Sequence, residues 1–517
     1  MPDACITCHC RPKHSHAAAI VLRALERSFG KAQVVEALQP SDAAPGTLAA
    51  YICPQEETLA GMADVLRRGG KVLAFGPTCA AALPLLGLRH EEPDPSWKAL
   101  DAAELCVTDP VHLSPGAVVY GDHPLALTSP LRKRPFRRYD YAEWNNLGFG
   151  AITTDGSAFA AAPGYRAEAA AELAVVAMEG RESPIGTYIA LQDEAQGSLL
   201  WCARPVGPVD SVEWHLVERF LCDWRPELTC LPCLMQTPRG CTCLVTMRLD
   251  CDEAIASARP LFEWYRTRGL PLSAAVKTSL DMSPVDIALL EDIRATGGTL
   301  LSHSHTHPKN WGMDAAQAEE EARLSREWFF RQWPDEAPPA LAVSPFHTNP
   351  PYALQSLVKV GYTGFVGGII DNDPAYCLGR AGLVPFVDGL VSISQQSMLH
   401  GDSYRNQGHS VEAHVQGFRS QLRARGIFGY LDHPFSRRYQ YGWDSEEQRI
   451  QAHGQLVETI LRQDGVQFWS QRRCFDFIET LARVPLRLES GKVIGGSAID
   501  GIEYRLRGEV APVRQCS

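Results

Sequence analysis

No apolar run in the 517-residue chain reaches the length of a membrane-spanning helix. The opening stretch, MPDACITCHCRPKHSH, carries no apolar core of the kind a secretory signal needs. The chain is therefore expected in the cytoplasm, without a membrane span. Positive charge is also in short supply. Lys and Arg number 49 against 60 Asp and Glu, a net charge of −11. Phosphate binding needs a basic face, so this balance argues against nucleic acid as a partner and leaves neutral or cationic substrates open. Disorder does not fit either, since 45% of residues are apolar and only 21% charged.

A disulfide framework is missing too, although the chain has 16 cysteines. Their spacing is scattered along a long chain. Two groups stand out. Cys5, Cys8 and Cys10 lie with His9, His14 and His16, and Cys230, Cys233, Cys241 and Cys243 follow a C-x2-C-x7-C-x-C pattern. A structural zinc site is one reading of each. Reduced thiols acting as small hydrophobes are the other, and this is preferred for the second group, whose central gap is short for a zinc ribbon.

The length predicts two to four domains. Residues 1–90 alternate strand-like and helix-like runs (AAAIVLRALERSFG, LAAYICP, ETLAGMADVLRRGG, KVLAFG) and read as a small α/β domain. This part resembles the glutamine-amidotransferase-like, flavodoxin-related domains. Cys79 stands roughly where that family keeps its nucleophile, but the small-residue elbow and a His-x-Glu partner are lacking, so a non-catalytic scaffold is expected. Residues 91–235 read as a β-rich middle domain with one helix. Its basic run, SPLRKRPFRRYDY, reads as a solvated surface strand in preference to a sugar- or phosphate-contacting loop. Residues 236–483 return to β/α alternation, which favours a closed barrel or a related parallel sheet. Residues 484–517 look like a β extension.

What chemistry the chain carries is concentrated in the third part. Arg248-Leu249-Asp250-Cys251-Asp252 ends an apolar strand, and His303-Ser304-His305-Thr306-His307 ends another. Imidazole and carboxylate together suit zinc and similar divalent ions. A second, free carboxylate beside such an ion supplies the base that metal-assisted hydrolysis needs. His303 and His307 are spaced i to i+4, and a turn of helix between them, closed by Pro308, is expected to bring both to one ion. His305 is expected to point elsewhere. His433, in YLDHP, ends a late strand. Asp250, Asp252, His303, His307 and His433 thus all fall at the C-terminal ends of strands, where parallel β/α folds keep their active sites.

With these motifs in order, residues 240–480 resemble the NodB-type polysaccharide deacetylases, carbohydrate esterase family four. RLDCD resembles the first motif, HSHTH the second and YLDHP a late one. The resemblance implies a deformed (β/α) barrel of that type. It also implies Asp252, His303 and His307 as ligands of a divalent ion, most simply Zn2+, with Asp250 as general base and His433 as general acid. The family's third motif supplies an Arg to orient the base. The matching segment, AVSPFHTNPPYAL, has none, so His347 or Asn349 is expected to line the groove, or Arg248 to orient the base. Asp388 and Asp432 are the candidates for tuning His433. Trp311, Phe346, Tyr439, Tyr441 and Trp443 are candidates for stacking on sugar rings, Trp443 foremost, with core packing the competing reading.

The implied activity is hydrolysis of the N-acetyl group of an amino sugar in a polysaccharide or glycoconjugate. A metal-dependent hydrolase of other carbon–nitrogen bonds, such as cyclic amides, is the first alternative. A non-catalytic glycan-binding protein on the same fold is the second.

Overall fold

The structure, a computed structural model, describes residues 5–37, 47–101, 116–136, 152, 154, 156–367, 379–489, 492–495 and 501–513. The described residues fall into two compact units. Those up to Arg138, from Ala151 to Arg239 and from Leu481 onward make the first, and those of Gly240–Thr480 make the second. The segment ELCVTDPVHL, read above as a strand, lies outside the described residues.

The first unit is built on one nine-stranded sheet. Its order is Val34–Ala37, Ile6–His9, Leu48–Ile52, Lys71–Phe75, Ser198–Cys202, Gly186–Asp193, Ala171–Met178, Gly116–Tyr120 and Lys133–Pro135. The first five strands run parallel and the rest pair antiparallel. The boundary drawn at residue 90 therefore falls inside one sheet. The run from 71 to 75 presents its far edge to the hairpin strand Ser198–Cys202, with Leu73 opposite Leu200, and no local signal marks that pairing. Central strands LAAYI and KVLAF are buried on both faces, as parallel strands sandwiched between layers must be.

In the basic run Arg132 and Lys133 are exposed, as in a solvated strand, but Arg134 is not. Arg134 is fully buried and pairs with Asp210 at 3.0 Å and with Glu213, while Arg204 grips the same Asp210 at 2.8 Å. Two arginines and two carboxylates in one interior neutralise each other, and such a set is costly to break one member at a time. Among the described residues every cysteine is a free thiol, and neither cysteine group gathers three ligand atoms. All four thiols of the second group are buried, as small hydrophobes are, whereas in the first group Cys8 is buried and Cys5 and Cys10 are partly exposed.

The second unit is a mixed α/β module with a parallel sheet. Strands Val391–Ser394, Gly364–Gly367, Leu341–Val343, Leu300–Ser302, Ser273–Val276, Cys243–Cys251, Ile427–Asp432 and Ser397–Met398 follow one another in that order, all parallel. The stretch from Val391 to Met398 stands at both ends of the row. Gln395 N bonds Gly367 O on one side, and Gln396 N bonds Gly429 O on the other. Helices alternate with the strands as the sequence predicts. Pro284–Ala295 begins at a capping box in which the Ser283 hydroxyl accepts from Asp286 N, and a left-handed Gly297 follows its end.

Candidate metal centre

Strand parity decides which side chains meet. Along Cys243–Cys251, the odd residues Cys243, Val245, Met247, Leu249 and Cys251 belong to the apolar core with the helices. Successive strand residues point to opposite faces, so Arg248 and Asp250 share the other face, and Asp252 leaves the strand on that side. On the next strand but one, Ser302 bonds Ser325 of the helix Ala315–Gln332. His303 then turns inward, its N–H held by Val276 O at 2.9 Å.

The His loop is not a turn of helix, contrary to the expectation from its spacing. Ser304 and His307 sit at φ 60° and 64°, left-handed for non-glycine residues. His307 N donates to the Ser304 hydroxyl at 2.9 Å. Glu321, on the neighbouring helix, accepts from His305 N at 2.9 Å, Thr306 N at 2.7 Å and the Thr306 hydroxyl at 2.6 Å. A carboxylate clamp and two left-handed residues replace the helical turn. His305 is turned away, as expected, its Nδ1 3.1 Å from the Thr278 hydroxyl.

The outcome is a triangle of ligand atoms. His303 Nε2 and His307 Nε2 are 3.1 Å apart, and each faces Asp252 Oδ1, at 3.2 Å and 3.4 Å. Asp252 Oδ1 is buried and has no hydrogen-bond partner. A tetrahedral ion bonded at ~2.0–2.1 Å to such donors has edges of about 3.3 Å, so these three atoms fit one face of its coordination shell. His303 Nδ1 donates to Val343 O at 3.0 Å, which leaves Nε2 with its lone pair turned inward.

Electrostatics point the same way. Burial lowers the His303 pKa, but the Asp250 and Asp252 carboxylates outweigh it and raise it. Burial and the adjacent His303 push His307 down to about 4. Asp252 is held well below the usual carboxylate range against its burial, by the surrounding His303, His433 and His307. The pocket favours positive charge between these groups, and two imidazoles in contact cannot both supply it.

Asp250 is set apart from this triangle. Its Oδ2 is 4.0 Å from His303 Nε2. Arg248 grips it through two bonds, Nε to Oδ1 at 2.7 Å and Nη2 to Oδ2 at 3.2 Å. Arg248 in turn donates from Nη1 to Gln395 Oε1 at 2.7 Å. Burial would raise the Asp250 carboxyl, but Arg248, His303 and His433 hold it at about 2. Arg248 is fully buried, and its guanidinium donors go to Asp250 and Gln395.

His433 reaches the same centre, its Nε2 3.6 Å from Asp252 Oδ2. Of the two acids proposed for tuning it, Asp432 acts only through its charge, which raises the His433 pKa against burial. Asp432 has the opposite strand parity and points into the helix layer, where it pairs with His453 at 3.1 Å and Arg449 at 3.5 Å. Asp388 is exposed. The partner of His433 Nδ1 is His400, whose Nε2 lies 2.7 Å away, and Tyr441 stacks on His433 at 4.1 Å and 15°. Burial, then His400, pushes His433 down to about 4. His400, Asp432 and His433 also lie close enough to hold an ion. The Arg449 guanidinium on the same carboxylate makes that group a hydrogen-bonded cluster rather than a cation site.

Two more expectations change. Trp443 is 1% exposed, part of the apolar core, with its indole N–H 3.4 Å from Asp432, so no sugar can stack on it. Trp311 is buried as well. Asn349 is fully buried and spends its amide on the loop itself, accepting from the Ser344 hydroxyl and donating to His347 O at 3.0 Å. By contrast, Phe346 is 36% exposed and lies against His307, ring centroids 4.7 Å apart. His347 is buried beside the site, and burial pushes it down to about 3. Ala254, Ser304, His307, Phe346, His347 and Tyr441 all have φ between 45° and 64°. Each left-handed non-glycine residue costs roughly 1–2 kcal/mol, and such strain gathers at functional sites.

No protein-family model matches the chain, and no curated protein matches it. Solved structures do. A carbohydrate deacetylase, Agd3, is 9% identical over 100% of this chain and 97% of its own, with a TM-score of 0.43. The chitin deacetylase of Colletotrichum lindemuthianum is 14% identical over 47% of this chain and 89% of its own, with a TM-score of 0.31. A family 4 acetyl xylan esterase from Clostridium thermocellum, in complex with a cobalt ion, is 12% identical over 46% of this chain and 96% of its own, with a TM-score of 0.30.

Proposed function

We propose that the chain is a metal-dependent hydrolase that removes the N-acetyl group from an amino sugar in a polysaccharide or glycoconjugate, on a deformed (β/α) barrel. The observation that carries this reading is the orphaned, buried Asp252 Oδ1 facing the Nε2 atoms of His303 and His307. The second acid of the pair, meanwhile, is held apart by Arg248. One carboxylate is a ligand and the other is a free base.

A divalent ion on Asp252, His303 and His307, Zn2+ by its donor set, would supply a Lewis acid and lower the pKa of water toward neutrality. Asp250 stays ionised near neutral pH and takes a proton from the attacking water. Water adds to the amide carbon, the carbon–nitrogen bond breaks, and acetate and a free amine result. His433 Nε2 faces the centre; neutral at rest, it takes on the proton that Asp250 removed from the water and passes it to the departing amine. Its Nδ1 contact to His400 lets a proton lost on one side be restored from the other. Phe346 and Tyr441 border the site and offer faces to a sugar ring.

Acetate release tests this reading. The metal-loaded protein is offered N-acetylhexosamine oligomers, with small cyclic amides as controls. Release from the oligomers, lost on chelation and restored by Zn2+, is expected. Ring opening of the cyclic amides without acetate release would move the activity to other carbon–nitrogen bonds.

A further inference from the structure

His347 has no part in the scheme above, yet its loop is built to fix its ring. Its φ is 58°, and that of Phe346 before it is 51°. His347 N donates to Ser344 O at 3.1 Å, and its carbonyl accepts from Asn349 Nδ2 at 3.0 Å. Thr348, next in the chain, accepts on its hydroxyl from Asn310 N at 2.9 Å. The ring is 6% exposed, and its Nδ1 is buried without a hydrogen-bond partner. It lies close enough to Asp250, Arg248, His303 and His433 to feel their charges, and it stands outside the ligand triangle. Buried polar groups are almost always partnered. A strained, anchored imidazole with an unpartnered nitrogen beside the reacting centre has its partner in the bound substrate.

We propose that His347 is a catalytic hydrogen-bond donor to the oxygen of the substrate's amide as negative charge develops on it. The proposal rests on the deacetylase reading. A neutral imidazole carries one N–H. The unpartnered Nδ1 is the nitrogen left for the substrate, so the N–H sits on Nδ1 and the lone pair on Nε2. A fixed donor aimed at developing charge acts in the transition state more than in the ground state, so its loss falls on kcat and not on KM.

His347→Phe keeps a buried ring without a donor, and His347→Gln restores one. Both are compared with wild type for metal content, for kcat and KM in acetate release, and for acetate binding by titration calorimetry on the metal-loaded protein. The Phe variant is expected to hold one ion per chain, to lose about 100-fold in kcat with KM within threefold, and to bind acetate more weakly. The Gln variant is expected within about tenfold of wild type. A Phe variant within threefold of wild type in kcat, or Gln and Phe variants that fall equally, would overturn the proposal. Should wild type release no acetate at all, it is the deacetylase reading that fails. The calorimetric arm still separates donor from spacer in that case, since equal acetate affinity in wild type and the Phe variant removes His347 as a donor.

Discussion

Arg248 holds Asp250 by both carboxylate oxygens from two positions back on the same strand, at 2.7 Å and 3.2 Å, with both side chains buried. Side chains two apart on a strand share a face, so the sequence R-x-D builds its own clamp without help from a loop. The fork matches the carboxylate plane in a way that a lysine ammonium cannot. Arg248→Lys should therefore lower kcat by at least tenfold. Arg248→Met, which leaves a buried carboxylate unpaired, should destabilise the fold by ~3–5 kcal/mol. Urea unfolding and steady-state kinetics measure the two effects separately.

The separation of the two acids gives a second prediction. Asp250→Asn should keep its metal but lose ~3–5 kcal/mol of stability, because the buried Arg248 charge is left unpaired, and it should lose about 1,000-fold or more in kcat, as removal of a general base does. His303→Ala should lose metal and activity together. Metal analysis beside acetate release distinguishes them, and loss of metal from Asp250→Asn would contradict the division of roles.

Acidification should unfold the metal-free protein from a definite starting point. Burial foremost pushes His433 and His307 to about 4 and His347 to about 3 from an ordinary 6.5. These rings are neutral in the fold and charged in the unfolded chain at low pH. Their contribution is fully present above pH 6.5 and is lost as pH falls toward 4, up to ~3 kcal/mol for each of the first two. Asp250, depressed to about 2, adds a loss of the same sign below pH 4. His303, raised by its carboxylates, works in the opposite direction and loses its contribution as pH rises. The urea midpoint of chelator-treated protein should fall steadily from pH 7 to pH 4.5, and a flat or rising midpoint would contradict the burial of neutral histidines.

Behind the site, the Tyr265 hydroxyl stands between Tyr430 Oη at 2.7 Å and His453 Nδ1 at 2.9 Å, and His453 Nε2 reaches Asp432. Tyr265→Phe leaves two buried polar groups short of a partner and should cost ~2–3 kcal/mol. Metal content should not change, because this chain of contacts lies on the helix side of the strand. Thermal unfolding and metal analysis check both halves.

Much of the site was legible in the sequence, because it lies at strand ends and parity travels with the sequence. Asp250, Asp252, His303 and His307 were readable as acids and imidazoles after apolar runs, whereas the division between ligand and base came from the family resemblance; the Arg248 clamp on Asp250 is what the strand adds. His400 was not readable. It follows a strand of two residues and reaches His433 only through the fold. Gln395 was missed for a related reason, since its value lies in the place where the stretch from Val391 to Met398 changes partner strands. Asp432 was readable by adjacency to His433, on which its charge acts, but alternation along the strand sends its carboxylate to His453 and Arg449 on the other face. Trp443 misled because a lone tryptophan near a motif gives no sign of burial. The long-range sheet of the first unit was hidden as well, since strand Lys71–Phe75 meets Ser198–Cys202 across more than a hundred residues of chain.

The central claim is that Asp252, His303 and His307 hold one divalent ion while Asp250 does not. The most direct test is metal analysis of purified protein after chelation and reloading with Zn2+, on wild type, Asp250→Asn and Asp252→Ala. One ion per chain in the first two and none in the third is the predicted result. A wild-type chain that retains no ion, or an Asp252→Ala variant that still holds one, would contradict it.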